Sequence, residues 1–433
     1  MRQRRFLPLF LTQLLNALND NLYKQAMVLF VVYQVYDSAE TETLVSGIAT
    51  ALFVLPFVLF SATAGQLADM RDKTKIIRWI KFAEIIIMSV GATGLLLAAK
   101  GVEIGTLALP LMFLALFAMG MHSTFFGPIK YAILPQHLHK DEVLAGTGLV
   151  EAGTYVAILV GMMLGGAMPI MWSIAAVLVI AVIGYVVCRW VPSAPAQTEE
   201  TKVDWNPVRA SKSLIAFSMG NPELRYSVLA ISYFWTIAAI LSVQFIPLAK
   251  NVLLADKQVA AVLLVAFSAG IAIGSVSINA LLKGDISARY SARSVLVLGV
   301  LLIAFYGLCR MWNLTPAGEL FTVWEFLAQP LALVLTFNLL LIAVAGGMFV
   351  VPLYAFLTTR VDKSEASRSV AANNFISSIF MVIGAGVAGG LGFFGIPLQE
   401  QLLLSLVLCV FSAQLARKLH ATEALRDPVN VFT

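Results

Sequence analysis

The sequence predicts an all-α integral membrane protein with twelve transmembrane helices in two pseudo-symmetric six-helix bundles. Composition is the first reason, since the 433 residues are 60% hydrophobic and only 12% charged, with a mean hydropathy of +0.88. A soluble domain carries about 25% charged residues, so this chain cannot cover a water-facing surface. A second reason is a series of apolar runs of about 20 residues, the length that crosses the hydrocarbon core as a helix.

A third reason is an internal similarity between the halves. Several residues align when the sequence is shifted by 223 positions: Tyr131-Ala132 with Tyr354-Ala355, Glu142 with Glu365, Glu151 with Asn374, and Gly166 with Gly389. A repeat of half the chain is typical of transporters with internal pseudo-symmetry. We therefore predict an N-terminal bundle over 1–191, a cytoplasmic linker over 192–222 and a C-terminal bundle over 223–433. Residues 206–219 of the linker suit either a short interfacial helix or an ordinary tether.

The apolar runs give the predicted spans in chain order. They lie at about 6–36, 43–68, 74–99, 106–134, 142–167, 169–191, 224–249, 258–283, 290–312, 330–358, 366–391 and 394–417. The N-terminal MRQRRF and the apolar run after it resemble a signal peptide, but the run is too long for one. We interpret it as the first span, retained in the protein.

The distribution of basic residues predicts the topology. With both termini inside, 24 of the 29 lysine and arginine residues are cytoplasmic and 4 are external, while Lys24 lies within a span. The cytoplasmic set includes a run in and before the third span: Arg71, Lys73, Lys75, Arg78 and Lys81. This excess follows the positive-inside rule and requires an even number of spans.

The three cysteines suggest no metal, redox or cofactor chemistry. Cys188, Cys309 and Cys409 each lie in or beside an apolar run, and the sequence contains no CxxC pattern. We expect buried, inert thiols and no bound cofactor.

The first span holds the densest group of polar residues. Asn16, Asp20 and Lys24 follow at four-residue intervals, so they share one helix face, and Asp20 and Lys24 could pair across one turn. An ionisable group within a span costs roughly 3 kcal/mol or more, which favours a position on a cavity. The alternative is a self-neutralising polar seam between helices.

Two further charges lie in the fourth and fifth spans. Lys130 follows Pro128, which should kink the helix because proline removes a backbone hydrogen bond. Lys130 is either functional or extends to the cytoplasmic interface. Glu151 is predicted within the fifth span, either as a functional residue or as a bond to a neighbouring helix, and Asn374 occupies the matching place in the second half.

We interpret the loop after the second span as a structural and gating latch, a segment that would hold neighbouring helices together. Gly65 permits close helix approach, Asp69 can cap the start of the third span, and Arg71 belongs to a basic run that faces the cytoplasm.

The Gly65-to-Asp69 pattern with its basic residues, in a twelve-span chain with a central linker, resembles the major facilitator superfamily. Within it, several short patterns are similar to the bacterial lysophospholipid transporters: Asp20-Asn21, Pro128-Ile129-Lys130-Tyr131, Glu151-Ala152, Phe234-Trp235, Phe349-Val350-Val351-Pro352-Leu353 with Arg360, and Asn373-Asn374. Two positions depart from the expected pattern, since Lys24 adds a cation beside Asp20 and Ser242 stands where an arginine is expected.

The resemblance implies a monomeric transporter in the bacterial inner membrane that moves lysophospholipids such as lysophosphatidylethanolamine to the cytoplasmic leaflet by alternating access. It also implies an acyltransferase–synthetase partner. Our hypothesis for the site is that Lys130 would meet the phosphate and Asp20 would either meet the amine or organise Lys130. The other predicted substrate-binding residues are Asn16, Lys24, Tyr131, Glu151 and Asn374. We expect no enzymatic activity, because an acyltransferase His-x4-Asp pattern and a phosphate-binding glycine loop are both absent from the sequence.

Two other functions fit the same residues. One is proton-coupled efflux of amphipathic drugs, with Asp20 or Glu151 carrying the proton. The other is a non-transporting membrane scaffold for a lipid-modifying enzyme, in which buried charges would have no purpose.

Overall fold

The computed structural model of the protein describes residues 5–31, 39–198, 202–316, 318 and 320–426. Across these residues the chain is almost entirely helical, with one isolated β-bridge between Ala255 and Phe321. The α-helices in chain order are α1 Leu7–Phe30, α2 Ala39–Met70, α3 Lys73–Ala99, α4 Leu109–Ala132, α5 Leu134–His137, α6 Val143–Ala167, α7 Ile170–Cys188, α8 Pro207–Gly220, α9 Pro222–Asn251, α10 Lys257–Leu282, α11 Ser291–Met311, α12 Val323–Leu327, α13 Pro330–Thr359, α14 Ala366–Phe393 and α15 Leu398–Arg426.

The long helices confirm the predicted fold class. Within the described residues, 11 helices are long and apolar enough to cross a membrane. The first helix, α1, is not among them because polar side chains interrupt its apolar sequence, but its 24 residues extend about 36 Å and exceed a hydrocarbon core of about 30 Å. With α1 the number of spans is twelve.

Most helix ends follow the predicted spans, with one clear difference. The last helix was expected to end near residue 417 but continues to Arg426. The reason is that Arg417 and Lys418 interrupt the apolar run without interrupting the helix, because lysine and arginine are good helix formers.

Capping residues explain several helix starts. Asn221 accepts hydrogen bonds from the backbone N–H groups of Glu223 and Leu224, and Pro222 occupies the first turn of α9. Asp256 caps α10 in the same way through Gln258 and Val259. These side chains satisfy N–H groups that have no partner inside a helix.

The chain divides into two compact units. One comprises the described residues of Met1–Lys140, Gly153–Ala216 and Val361–Phe375, and the other those of Asp141–Ala152, Phe217–Arg360 and Ile376–Thr433. In the first unit α1 packs against α7, α2 and α3 both pack against α4, and α3 packs against α7. In the second unit α9 packs against α15, α10 and α11 both pack against α13, and α11 packs against α15.

The same packing pattern therefore occurs once in each unit. The correspondence pairs α1 with α9, α2 with α10, α3 with α11, α4 with α13 and α7 with α15. It is the structural counterpart of the 223-residue repeat, although the domain boundaries at 191 and 222 stay a prediction.

Close helix contacts in both units depend on glycine. A Cβ atom at Gly120 of α4 would collide with the backbone carbonyl of Phe53 on α2. A Cβ atom at Gly274 of α10 would collide with the carbonyl of Val344 on α13. Glycine at these two positions lets the backbones approach, as is common between membrane helices.

Candidate functional site

A cluster of polar and charged side chains lies inside the first unit. Three helices supply it, and the members are Asn16, Asn19 and Asp20 from α1, Lys81 and Glu84 from α3, and His122 and Ser123 from α4. All of them are buried except Ser123, which is half-buried. We call this group the Asp20–Glu84 cluster.

The three helices place the cluster at one depth. Because consecutive spans alternate in direction, the start of α1, the start of α3 and the end of α4 lie on the same side of the membrane. At a rise of 1.5 Å per residue, the cluster residues lie about 12 to 20 Å along their helices from those ends. In a hydrocarbon core of about 30 Å this range is close to the middle.

An ion pair between Lys81 and Glu84 forms the centre of the cluster. The Lys81 ammonium donates to Glu84 Oε2, and the two side chains are 0% and 1% exposed. Asn19 Nδ2 donates to the other carboxylate oxygen of Glu84 at 2.8 Å. The three-residue spacing of lysine and glutamate puts both on one face of α3, which is the face that meets α1.

Asp20 has a different environment from Glu84. Its Oδ2 atom accepts hydrogen bonds from Asn16 Nδ2 at 3.1 Å and from Ser123 Oγ at 2.5 Å. Its Oδ1 atom is buried and has no hydrogen-bond donor among the described residues. One carboxylate oxygen is therefore held by neutral donors while the other remains available.

His122 completes the cluster from α4. Its Nε2 atom lies 3.5 Å from Glu84 Oε2, and its side chain is 1% exposed. His122 and Lys81 therefore approach the same carboxylate oxygen from different helices. The cluster thus contains a histidine, two carboxylates and an ammonium group.

These contacts correct two expectations from the sequence. Lys81 was assigned to the basic cytoplasmic run, but it is buried against Glu84. The sequence allowed Lys24 to pair with Asp20, but its ammonium lies 5.4 Å from the centroid of the Phe53 ring. Both differences arise because the sequence gives helix faces and not the helices that those faces meet.

Lys130 lies near the end of α4 and is half-buried. Its ammonium is 4.6 Å from the centroid of the adjacent Tyr131 ring, a cation–π contact, and Tyr131 itself is buried. Lys130 follows Ser123 by seven residues, so the two share a face of α4 and are about 10 Å apart along it. The structure thus puts Asp20 and Lys130 on one continuous strip of the unit but does not bring them into contact.

Two other predicted site residues, Asn374 and Glu151, lie in different units. Asn374 on α14 belongs to the first unit, where its amide nitrogen lies 2.7 Å from the position a Cβ atom on Gly127 would take. Glycine beside Pro128 therefore makes room for this amide. Glu151 is buried on α6 in the segment that belongs to the second unit.

Asp69, at the end of α2, caps a different helix from the one predicted. Asp69 was expected to cap α3, but its carboxylate accepts the backbone N–H groups of Ser367 at 2.9 Å and Arg368 at 3.0 Å, so it caps α14. Asp72 caps α3 instead, through the N–H groups of Thr74 and Lys75. The two aspartates lie three residues apart, and their spacing does not reveal which helix start each one reaches.

Gly65 and Arg71 flank this latch. A Cβ atom at Gly65 would lie 2.6 Å from the Cβ atom of Ala371, so glycine allows α2 to touch α14. Arg71 is exposed between α2 and α3.

The segment after α7 is bonded to the same loop. Ser193 Oγ donates to Asp72 Oδ2 at 2.6 Å, and Thr74 Oγ1 donates to the Pro192 carbonyl at 2.5 Å. Burial raises the pKa of Asp72, but the hydrogen bonds from Ser193 and from the backbone of Lys75 outweigh it and hold the pKa below its ordinary value. Burial also lowers the pKa of His137, whose ring nitrogen lies 3.4 Å from the Ser193 carbonyl.

Arg360 occupies an equivalent place at the end of α13 in the second unit. Its guanidinium lies 3.7 Å from Glu423 Oε1 on α15, and Glu423 Oε2 accepts the N–H of Ala288 at 3.1 Å and the hydroxyl of Ser287 at 3.2 Å. Glu423 therefore connects the end of α15 to the loop before α11.

Five members of the cluster were missed as site residues in the sequence: Asn19, Ser123 and the three ionisable residues on α3 and α4. Lys81, Glu84 and His122 lie in runs that otherwise read as apolar spans, and Lys81 adjoins a basic run. The available indication was the presence of ionisable residues eight or more positions inside a span, which is costly unless they have partners. Within the described residues, no group of three or more histidine, cysteine, aspartate or glutamate side chains is arranged to hold a metal ion.

Comparison with known proteins agrees with this architecture. The Major Facilitator Superfamily profile matches residues 9–385. The chain is 28% identical over 390 residues to the lysophospholipid transporter LplT of Klebsiella pneumoniae, covering 88% of this chain and 87% of that protein. It is 27% identical over 404 residues to LplT of Salmonella gallinarum, covering 90% of this chain and 89% of that protein.

Among solved structures, the chain resembles a bacterial homologue of the iron transporter ferroportin in an outward-facing state. The TM-score is 0.73 at 12% identity, and the match covers 96% of this chain and 98% of that one. At this identity the likeness concerns the fold alone.

Proposed function

Because the chain belongs to the major facilitator superfamily, we propose that it is a secondary transporter that moves lysophospholipids across the bacterial inner membrane to the cytoplasmic leaflet. The LplT relatives support the substrate class, since their similarity extends over most of both chains. The observation that carries the proposal is the Asp20–Glu84 cluster, a charged site at mid-membrane depth in a chain of which only 12% is charged. Transport proceeds by alternating access, the mechanism of transporters built from two similar halves.

The orientation belongs to the same proposal. Both termini are cytoplasmic, as the distribution of lysine and arginine predicts. Arg71, Lys75 and Arg78, at the start of α3, are exposed and suited to contact lipid phosphates. Lys81 no longer counts toward this excess, but removing one of 24 cytoplasmic charges leaves the asymmetry intact.

Asp20 receives the amine of the headgroup in this mechanism. Its Oδ1 atom is buried without a hydrogen-bond donor in the described chain, while Asn16 and Ser123 fix its Oδ2 atom. An ammonium group would satisfy that oxygen and neutralise the carboxylate. A buried carboxylate with one oxygen positioned and one unused is suited to bind a cation.

Lys130 receives the phosphate. Lys130 lies about two helical turns from Ser123, which donates a hydrogen bond to Asp20. The compact cation of Lys130 therefore lies on the same face of α4 as Ser123. The side chain is half-buried over Tyr131 and is the cation of α4 closest to the cluster. The single acyl chain stays in lipid or in an apolar lateral groove.

The remaining predicted residues act around these two. Asn16 orients Asp20, Asn374 and Glu151 are polar partners, and Lys24 contributes positive potential from one turn beyond Asp20. Gly65, Asp69, Arg71, Pro128 and Arg360 act in gating and structure, supported by the cap that Asp69 gives α14 and the contact of Arg360 with Glu423.

The transporter acts as a monomer and is not itself an enzyme. The transported lysophospholipid is reacylated by an acyltransferase–synthetase partner in the same membrane. The exposed basic residues near the start of α3 are on the cytoplasmic side, where such a partner would act.

The decisive experiment measures uptake of radiolabelled lysophosphatidylethanolamine into spheroplasts that depend on this protein. Asp20→Asn and Lys130→Ala should each reduce uptake at least tenfold while the protein still reaches the membrane. Lys140→Ala is the matched control, because Lys140 is an exposed lysine beyond the end of α4, and it should retain uptake. Undiminished uptake in Asp20→Asn or Lys130→Ala would remove that residue from the mechanism.

A second candidate, proton-coupled efflux of amphipathic drugs, is favoured by one observation. Asp20, Glu84 and His122 form a titratable group within the spans, as a proton carrier requires. The two functions differ in their response to a protonophore. Drug extrusion would stop when the proton gradient collapses, whereas lysophospholipid movement down its gradient would continue.

A further inference from the structure

The Asp20–Glu84 cluster lacks one positive charge. Lys81 and Glu84 neutralise each other in a buried ion pair. Asp20 accepts hydrogen bonds from two neutral groups, on Asn16 and Ser123, and forms no ion pair among the described residues. With a neutral His122, the cluster carries a net charge of −1.

The helices around the cluster do not supply the missing cation. The α7 helix meets Lys81 at Gly184, where an added Cβ atom would lie 2.9 Å from Nζ, and the Cys188 thiol also faces Lys81. On the α2 helix, the centroid of the Phe53 ring lies 5.4 Å from the Lys24 ammonium. The charged or titratable groups that act on Asp20 are His122, Glu84 and Lys81.

An uncompensated carboxylate at this depth is expensive. A charged side chain near the bilayer centre costs roughly 3 kcal/mol or more unless it is paired or hydrated. His122 can cancel the charge from within the cluster, because its ring lies 3.5 Å from Glu84 and becomes a cation when it binds a proton. Protonation of His122 brings the cluster to neutrality.

We infer that the cluster binds one monovalent cation at a time, either a proton on His122 or the ammonium group of a substrate at Asp20. This inference rests on the proposed function, because it takes the substrate to be a lysophospholipid with an amine in its headgroup. When the ammonium reaches Asp20, the imidazolium of His122 loses its N–H proton to water. When the substrate leaves, His122 takes a proton from water.

The competition also sets which headgroups are preferred. Lysophosphatidylethanolamine brings its own cation and can replace the proton. Lysophosphatidylglycerol brings none, so it binds to the cluster only with the proton in place. By thermodynamic linkage, a bound proton lowers the affinity for the amine, and a bound amine lowers the affinity for the proton by the same factor.

Proton release gives the direct test. Purified protein in weakly buffered detergent at pH 6.5 is titrated with lysophosphatidylethanolamine, and proton release is followed with a pH-sensitive dye. The expected result approaches one proton released per lipid bound, with none released by lysophosphatidylglycerol. His122→Gln should abolish the release, whereas His139→Gln, which alters an exposed histidine after α5, should behave as wild type.

The pH dependence of affinity gives a second measurement. Lysophosphatidylethanolamine should bind the wild type more tightly as the pH rises from 5.5 to 7.5, by at most tenfold per unit for competition with one proton, and His122→Gln should flatten this slope. Binding without proton release, or equal slopes in the two proteins, overturns the inference and leaves the proposed function standing. If neither lysolipid binds the wild type at any pH, the proposed function itself fails. Should His122→Gln not fold, the contrast between the two lipids on the wild type still decides.

Discussion

Substitution of Lys81 by methionine tests whether the ion pair with Glu84 holds the cluster together. Methionine keeps most of the side-chain length and volume and removes only the ammonium group. In the native protein that group is fully buried, donates to Glu84 and lies 3.5 Å from Asn16 Oδ1. The variant therefore retains two buried carboxylates, Glu84 and Asp20, with no ammonium beside them.

The expected cost follows from that unpaired charge. Removing one partner of a buried ion pair typically destabilises a protein by about 3–5 kcal/mol, because the other partner stays buried without compensation. Asn19 still donates to Glu84, and His122 lies 3.5 Å from the same carboxylate, so we expect a cost in the lower part of this range.

Unfolding free energies in mixed micelles, measured by titration with denaturing detergent, would provide the values. Lys81→Met combined with Glu84→Gln removes both charges and keeps an acceptor for Asn19, so it should recover most of the loss. Lys75→Met is the control, since Lys75 is exposed on the same helix, and it should change stability by less than about 0.5 kcal/mol. A single Lys81→Met variant within about 1 kcal/mol of wild type, or a double variant no more stable than the single one, would refute the reasoning.

Three further predictions concern the ends of the helices. Asp69→Ala should destabilise the first turn of α14 by about 1 kcal/mol, the usual value of an N-cap, and hydrogen exchange at Ser367 and Arg368 should accelerate while α15 is unaffected. Glu423→Gln should loosen the link of α15 to the loop before α11, lowering the unfolding free energy by about 1–3 kcal/mol, and an unchanged value would contradict the link. The lowered pKa of Asp72 stabilises the fold above the ordinary aspartate pKa of about 4, and this contribution is lost as the pH falls through the folded value. The protection factors of the Thr74 and Lys75 amides against exchange should therefore fall at acid pH in the wild type and be low at every pH in Asp72→Ala.

The fold could be predicted from sequence because its determinants are local. A run of about 20 apolar residues has few stable states in a bilayer other than a spanning helix, since every backbone group must be hydrogen-bonded within the segment. Because the two halves of the sequence are similar, the helices predicted for the first bundle also predict those of the second. The helix ends were the weaker part, as α15 shows, because a charged pair can end an apolar run without ending a helix.

The site could be predicted only in part. Asn16 and Asp20, which were grouped on one face of α1, are hydrogen-bonded to each other, because the four-residue spacing fixes that face. Their partners could not be derived in this way, since Glu84 lies 65 residues from Asn19 and Ser123 lies 103 residues from Asp20. Long-range contacts of this kind depend on how helices are arranged, which periodicity within one helix does not describe.

The error at Lys81 arises from its neighbours in the sequence. Lys81 lies next to a run of charges at the membrane surface, where exposure is the ordinary expectation. Burial of Lys81 is possible because Glu84 is one turn further along α3, and α7 presents Gly184 at the point of closest approach. Recognising it would have required treating lysine and glutamate three positions apart as one neutral pair.

The two units share a packing pattern but differ in their chemistry at depth. In the second unit, the described polar contacts of α9 inside the spans are neutral: Ser232 with Ser377, Trp235 with Tyr354, and Gln244 with Gln401. The corresponding helix of the first unit, α1, contacts Lys81, Glu84 and Ser123 through its asparagines and Asp20. Neutral pairs keep the same charge whatever the pH, whereas the Asp20–Glu84 cluster changes charge with one proton. The two corresponding helices, α1 and α9, therefore differ in the charge of their described contacts although the packing pattern around them is the same.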